Sequence, residues 1–166
     1  MLFAGYAAAC TPRLDSYRPL RLGNSAMLSV PEGLQPVSDL NEDAPLQLAD
    51  PAREIFAVFR SSDWEALRRK RPYADLEDYY DFHLENLLID LRSTLAPSPD
   101  TVRLGGMMAL SGWVTGDYKG DSLTYRLVVI ESEQRLYQGL IWMTPESWRR
   151  YHPQMDSMLR SIRELP

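Results

Sequence analysis

The 166-residue chain predicts an α+β fold with a central, mainly antiparallel sheet of about six strands. Three observations predict it. Residues 123–143 have the pattern of a β-hairpin. Two segments, near residues 75–95 and 145–162, repeat apolar side chains at spacings of three and four, as helices lying on a sheet do. One predicted strand is apolar on both faces, which indicates a central strand that is covered on each side.

The hairpin is the strongest local signal. Residues 123–130 are rich in β-branched and aromatic side chains, and four polar residues separate them from a second such run at 135–143. Two such runs around a short polar loop predict antiparallel strands. In the second run, Leu136, Leu140 and Trp142 alternate with Tyr137, Gly139, Ile141 and Met143. Both faces of this strand therefore carry apolar groups, and we expect it near the centre of the sheet.

The C-terminal helix is predicted to begin at Thr144. Thr144 suits the N-cap, Pro145 suits the first helical position, where no N–H is needed, and Glu146 complements the helix dipole. A single apolar stripe then follows: Trp148, Tyr151, Met155, Met158, Leu159 and Ile162.

Composition and charge exclude several classes of protein. The chain is 45% hydrophobic and 25% charged, as an ordinary globular domain is. A net charge of −5 argues against general nucleic-acid binding, which usually needs a basic surface. The single cysteine excludes an internal disulfide and a multi-cysteine metal site. We predict no metal site and no cofactor.

The single cysteine, Cys10, follows a mostly apolar, uncharged segment that ends in three alanines. This resembles the lipobox of a bacterial lipoprotein signal peptide, which implies acylation of Cys10. Residues 1–24 are then a signal-peptide remnant and tether, and residues 25–166 form the domain. No Lys or Arg precedes the apolar segment, although an upstream start would supply one. An apolar N-terminus with a free thiol remains the alternative.

The first half of the domain predicts three strands, at residues 25–33, 45–48 and 54–60, with a polar loop at 34–44. Residues 61–74 follow as a mobile-looking connection. It contains Trp64 and the basic run Arg68, Arg69, Lys70 and Arg71, which we select as the candidate partner-binding residues. A solvated loop, balanced by nearby acidic side chains, is the alternative interpretation.

Asp75 is the predicted N-cap of the long helix, with Glu77 and Asp78 in its first turn. The predicted core stripe is Leu76, Tyr80, Leu84, Leu87, Leu88, Leu91 and Leu95, with Tyr79 and His83 at its margin. We interpret His83 as a histidine packed at a core edge and hydrogen-bonded to a Tyr or Glu. An acid–base role is the alternative, and the same two interpretations apply to His152.

Residues 101–106 and 107–115 predict a strand, a glycine bulge at Gly105-Gly106, and the continuation of that strand. This glycine pair lacks the spacing of a phosphate-binding loop. Residues 116–121 are predicted to form the turn into the hairpin.

Several short motifs carry a resemblance to a known family. They are the segment 29–33 (SVPEG), the segment 104–106 (LGG) leading into Met108-Ala109, Tyr125, and the segment 137–142 (YQGLIW) running into Thr144-Pro145. With the closing helix, they resemble the Mog1/PsbP-like α/β domain, and are nearest to the DcrB-type bacterial lipoproteins. The resemblance implies a sheet sandwiched by helices, in a family whose members bind other proteins.

We therefore expect a non-enzymatic lipoprotein of the bacterial cell envelope, anchored through Cys10 on the periplasmic side or outer surface, that binds a protein partner. A cytoplasmic chaperone or adaptor for secreted effectors is the alternative. An enzyme is a third interpretation, which two scattered histidines and the lack of a nucleophile–base motif disfavour. We expect a functional surface in the loops at 61–74 or 34–44.

Overall fold

The computed structural model describes residues 14–73 and 75–166. Its strands are β1 Tyr17–Leu22, β2 Ala26–Pro31, β3 Gln35–Pro36, β4 Leu46–Asp50, β5 Ile55–Asp63, β6 Arg92–Leu95, β7 Asp100–Leu104, β8 Met107–Tyr118, β9 Asp121–Glu131, β10 Arg135–Met143 and β11 Arg163–Glu164. The helices are α1 Trp64–Lys70, α2 Leu76–Asp90 and α3 Pro145–Arg160. Cys10 lies outside the described residues.

The described residues form two sheets, and all their strand pairs are antiparallel. The large sheet has the order β3-β4-β5-β10-β9-β8-β6, with β7 also paired to β8, and a small sheet has the order β1-β2-β11. The α+β prediction and the central position of β10 are confirmed. The large sheet has eight strands instead of about six, because β3 and β6 are short additions at its edges.

The two apolar faces of the hairpin strands separate two cores. On one face, Leu127, Val129 and Leu136 pack in a cluster with residues of α1 and α2. On the other face, Val128, Ile130 and Ile141 pack with α3 and the small sheet. The face of the large sheet opposite α1 and α2 is thus covered by α3 together with the three strands of the small sheet. The predicted cap of α3 is present, since the Thr144 hydroxyl accepts from the Ser147 N–H at 3.3 Å.

The long helix is shorter than predicted. Asp75 caps it as expected, accepting from the Asp78 N–H at 2.9 Å, but α2 ends at Asp90 and not near residue 95. Arg92 and Leu95 instead pair with β8. Unpaired backbone groups at the edge of β8 compete for this segment, and the sequence does not display that edge. Leu95, predicted to be a core residue, is 61% exposed, whereas Tyr79, predicted at the margin, is buried.

Two predictions of irregular chain were wrong. Residues 61–63 extend β5, because they pair with the start of β10, and residues 64–70 form α1, capped by Asp63. The predicted connection at 61–74 is therefore largely a strand end and a helix. Within the predicted tether, Tyr17–Leu22 forms β1 because β2 supplies its hydrogen-bonding partner.

The glycine pair makes a hairpin turn between two strands, and not a bulge within one. Gly105 and Gly106 join β7 to β8 and have φ angles of +58° and +84°, which favour glycine. A Cβ on Gly105 would collide with the Ile162 carbonyl oxygen, whereas one on Gly106 would meet nothing within 4 Å. The turn therefore also packs directly against the backbone of Ile162, two residues after the end of α3.

This difference predicts unequal costs for two alanine substitutions. Gly106→Ala should lower the free energy of unfolding by about 1 kcal/mol, the cost of a left-handed alanine. Gly105→Ala should cost roughly 1–3 kcal/mol more, because the Ile162 backbone must also move. Urea unfolding of the two variants measures this, with Gly106→Ala as the matched control. Equal losses would show that the turn does not support α3.

Candidate functional site

The main candidate site is a groove between α2 and the loop at residues 37–44. It holds a cavity of about 340 Å³. Its lining residues are Asn41, Val58, Arg60, His83, Asn86, Leu87, Asp90, Gln138 and Leu140. The loop predicted at 34–44 thus forms one wall.

Two cross-strand pairs of β5 and β10 form the floor of the groove, and a third pair continues the same row beyond the cavity. Arg60 lies opposite Gln138, Val58 opposite Leu140, and Phe56 opposite Trp142. The last pair is stacked, with ring centroids 5.7 Å apart and an interplanar angle of 18°. All six side chains are only partly buried. The row of pairs therefore changes along the strands from polar to aliphatic within the groove, and to aromatic just beyond it.

The loop wall is fixed by one buried side chain, Gln47. Its Oε1 accepts from the N–H groups of Leu40 at 2.8 Å and Asn41 at 3.0 Å. Its Nε2 donates to the carbonyls of Asn41 at 2.7 Å and Ala44 at 3.1 Å. Because the amide uses both its ends on the loop, the wall is held in one shape before any ligand arrives.

Arg60 supplies the positive charge on the floor. Its Nη2 donates to the Asn41 Oδ1 at 2.6 Å and lies 4.0 Å from the Asp43 carboxylate. The Asp43 side chain is 87% exposed, so solvent weakens that ion pair. Arg60 thus keeps most of its charge available to the groove.

His83 packs at the edge of the core, as predicted, but its hydrogen-bond partner is Gln138. The ring lies 4.5 Å from the Tyr79 ring, centroid to centroid. The Tyr79 hydroxyl donates to Gln138 Oε1 at 3.2 Å, which leaves Gln138 Nε2 to donate to His83 Nδ1 at 3.3 Å. This chain of bonds places the imidazole proton on Nε2.

The surroundings of His83 keep it neutral. Burial, followed by the positive charges of Arg60 and Arg71, lowers the pKa of His83 from its ordinary value of 6.5 to about 4. At neutral pH the ring is therefore an uncharged donor at Nε2. His152, the other histidine, stacks on Trp148, and its Nδ1 lies 3.0 Å from the Trp148 carbonyl oxygen.

The predicted partner-binding residues divide into one core residue and four surface cations. Trp64 is only 6% exposed, and its Nε1 donates to Glu131 Oε1 at 2.7 Å, so it offers a partner no free surface. The side chains of Arg68, Arg69, Lys70 and Arg71 are exposed. We call these four residues the basic cluster.

Aromatic rings hold two members of the basic cluster in place. The Arg68 guanidinium lies 4.5 Å from the centroid of the Trp64 ring, and that of Arg71 lies 3.9 Å from the centroid of Phe82. Among the described residues, no carboxylate lies within 4.0 Å of any of the four cations. The Phe82 ring under Arg71 lies 5.2 Å from the His83 ring, centroid to centroid, so the Arg71 end of the basic cluster borders the polar end of the groove.

Residues 14–73 and 75–166 contain neither a metal site nor a membrane-spanning helix. No group of three or more His, Asp or Glu side chains there could hold a metal ion. None of the helices in this part of the chain has the length and apolar character needed to cross a bilayer.

No family model matches the chain, and no curated protein does. Solved structures do match it. CyanoP, the cyanobacterial PsbP of Synechocystis sp. PCC 6803, superposes with a TM-score of 0.66 at 10% identity, over 98% of this chain and 99% of CyanoP. The likeness to CyanoP extends over nearly the whole of both chains. This chain has the Mog1/PsbP-like fold.

Two further structures share this fold. LpqN, involved in cell envelope biogenesis of Mycobacterium tuberculosis, matches with a TM-score of 0.61 at 16% identity over 91% of each chain. PA94, a protein of unknown function from Pseudomonas aeruginosa, matches with a TM-score of 0.55 at 17% identity, over 91% of this chain and 99% of PA94. The Mog1/PsbP-like resemblance predicted from short motifs is confirmed at the level of the fold.

The lowered pKa of His83 predicts a pH dependence of stability. Because the unfolded chain binds a proton at His83 more readily than the folded one, the free energy of unfolding should fall as the pH drops from about 6.5 toward about 4. His83→Gln should remove this part of the decline. Urea unfolding of both proteins across that range measures it. The carboxylates are common to both proteins, so parallel curves would contradict a neutral, buried His83.

Proposed function

We propose that this chain is a non-enzymatic domain of the bacterial cell envelope, lipid-anchored through Cys10, that binds a protein partner. The observation that carries the proposal is the basic cluster, four exposed cations without an ion pair to any described residue, placed beside an open groove. In this proposal the basic cluster is the contact surface and Trp64 its buried support.

The chemistry of the basic cluster favours an acidic partner surface. The whole chain carries a net charge of −5, so four adjacent cations form a local field of opposite sign. Such a field steers an oppositely charged protein during encounter and disfavours partners of the wrong charge. Because Arg68 and Arg71 already rest on aromatic rings, they lose less conformational freedom on binding than free side chains do.

The cell-envelope part of the proposal has separate support. Ala7, Ala8 and Ala9 precede Cys10, as small residues precede the acylated cysteine of a lipobox. LpqN, which shares the fold, is involved in cell envelope biogenesis. A lipid on Cys10 would hold the domain at the membrane surface.

The anchor is tested by metabolic labelling. When the gene is expressed with its natural upstream region in a bacterium fed a palmitate analogue, we expect the label on the wild-type protein and none on Cys10→Ser. The labelled protein should fractionate with membranes. An unlabelled wild-type protein in the cytoplasm would favour the chaperone or adaptor instead.

The contact surface is tested by charge reversal on α1. A photo-crosslinking amino acid at the exposed position Glu65 should yield a discrete protein adduct in native cells. Arg69→Glu with Lys70→Glu should lower the adduct yield about tenfold, since two attractive contacts become repulsive. These two cations are chosen because neither is among the described cation–π contacts, so the fold should tolerate their loss.

The matched control is Arg149→Glu with Arg160→Glu, which changes the net charge equally at exposed positions of α3. This pair should leave the adduct unchanged. Equal loss in both pairs would mean that net charge alone governs binding. The absence of any adduct from position 65 would contradict a partner on this face.

A further inference from the structure

We infer that the groove between α2 and residues 37–44 binds an extended acidic segment of the partner, in which apolar side chains lie two and four residues away from a carboxylate. This inference rests on the proposed function. It adds the pattern of residues that the partner presents and the direction in which its segment lies.

The carboxylate position is defined by two donors at the polar end of the groove. Arg60 donates from Nη2 to the Asn41 Oδ1, and its other N–H groups make no hydrogen bond to any described residue. His83 lines the same cavity, and its proton is on Nε2 because its Nδ1 accepts from Gln138. A carboxylate accepts from both kinds of donor, and the charged guanidinium makes the stronger bond. The polar end of the groove therefore favours an anion.

The spacing of the floor matches an extended segment. The pairs Arg60–Gln138, Val58–Leu140 and Phe56–Trp142 follow one another at every second residue of β5 and β10, which is about 7 Å per step. The side chains that an extended segment directs to one side have the same repeat. A carboxylate at the first pair places the next two such side chains over the aliphatic pair and the aromatic pair.

Each apolar position has a matching surface. Val58 and Leu140 are half-buried, and Leu87 of α2 lines the same cavity. The stacked Phe56 and Trp142 rings beyond them are also half-buried. An apolar side chain that covers these surfaces removes them from water. This burial stabilises the complex by about 25 cal/mol per Å² of apolar area.

The charges at the two ends of the groove set the direction of the segment. Arg71, beside His83, extends the positive field of Arg60 toward the basic cluster. Asp90, about 10 Å farther along α2 from His83, lines the cavity and repels a carboxylate. The acidic residue therefore lies toward the basic cluster and the apolar residues toward the C-terminal half of α2.

The groove is already formed in the free protein. Gln47 holds the loop wall through four hydrogen bonds to loop backbone groups, so that wall does not have to be ordered on binding. Asp43 is the one described carboxylate within 4.0 Å of Arg60, and its exposure lets a bound carboxylate displace it.

Peptide titration of the ¹⁵N-labelled full chain tests the pattern. The probe is acetyl-Glu-Ser-Leu-Ser-Phe-amide. We expect it to shift the amide resonances of Gln138, Leu140 and His83. Replacing its Glu by Gln should raise Kd about tenfold, the weight of one charged hydrogen bond.

Variants of the floor complete a double-mutant cycle. Arg60→Gln should raise Kd about tenfold for the Glu peptide and leave Kd for the Gln peptide nearly unchanged. Val58→Thr, a small change of shape that adds a hydroxyl, should weaken both peptides. Urea unfolding checks that both variants keep the fold.

The inference is overturned if the Glu and Gln peptides bind equally, if Arg60→Gln weakens both by the same factor, or if no resonance in the groove shifts. The proposed function is judged separately by the adduct from position 65. The adduct could be lost in the Arg69→Glu and Lys70→Glu protein while the peptide shifts no resonance in the groove. That result would support a partner at the basic cluster and exclude the groove as its binding site.

Discussion

The rest of the structure depends on the need to cover both faces of β10. Tyr137, Ile141 and Met143 join the core with α3, whereas Leu136 packs with α2 on the opposite face. The face of the strand toward α3 is also packed tightly at Gly139, since a Cβ there would press on the side chains of Phe59 and Val128. A strand apolar on both faces cannot lie at a surface, so two separate layers must form, and most of the chain serves to build them.

The candidate site is what the covering layers leave open. On the α2 side, the helix packs over β8 and β9, while Phe56, Val58 and Arg60 of β5 stay partly exposed. Gln47 supports a loop beyond them, and the result is a groove instead of a flat sheet face. The segment that joins β5 to α2 also carries the basic cluster, so cations and groove occupy the same side of the molecule for a topological reason.

The sequence predicts best where the signal is local. The Thr144-Pro145 start of α3, the Asp75 cap and the β9–β10 hairpin depend on neighbouring residues, and the structure has all three. Three features were missed because their backbone partners are distant: β1 needs β2, β6 needs β8, and the Gly105 turn faces Ile162. In the site, the basic run was visible in sequence. The meeting of Arg60, His83 and Gln138 was not, because only sheet pairing and the packing of α2 bring them together.

Gln138 shows how the fold and the groove are connected. It is a polar residue on the α2 side of a central strand, where an apolar side chain would bury more area without needing partners. Its amide oxygen instead accepts a hydrogen bond from the Tyr79 hydroxyl, and its Nε2 donates to His83 Nδ1. These two bonds connect α2 to the sheet and leave His83 Nε2 free of Gln138. Leucine at this position would keep the packing but release the imidazole. Such a change would preserve the scaffold. The His83 ring at the polar end of the groove, however, would lose its fixed orientation.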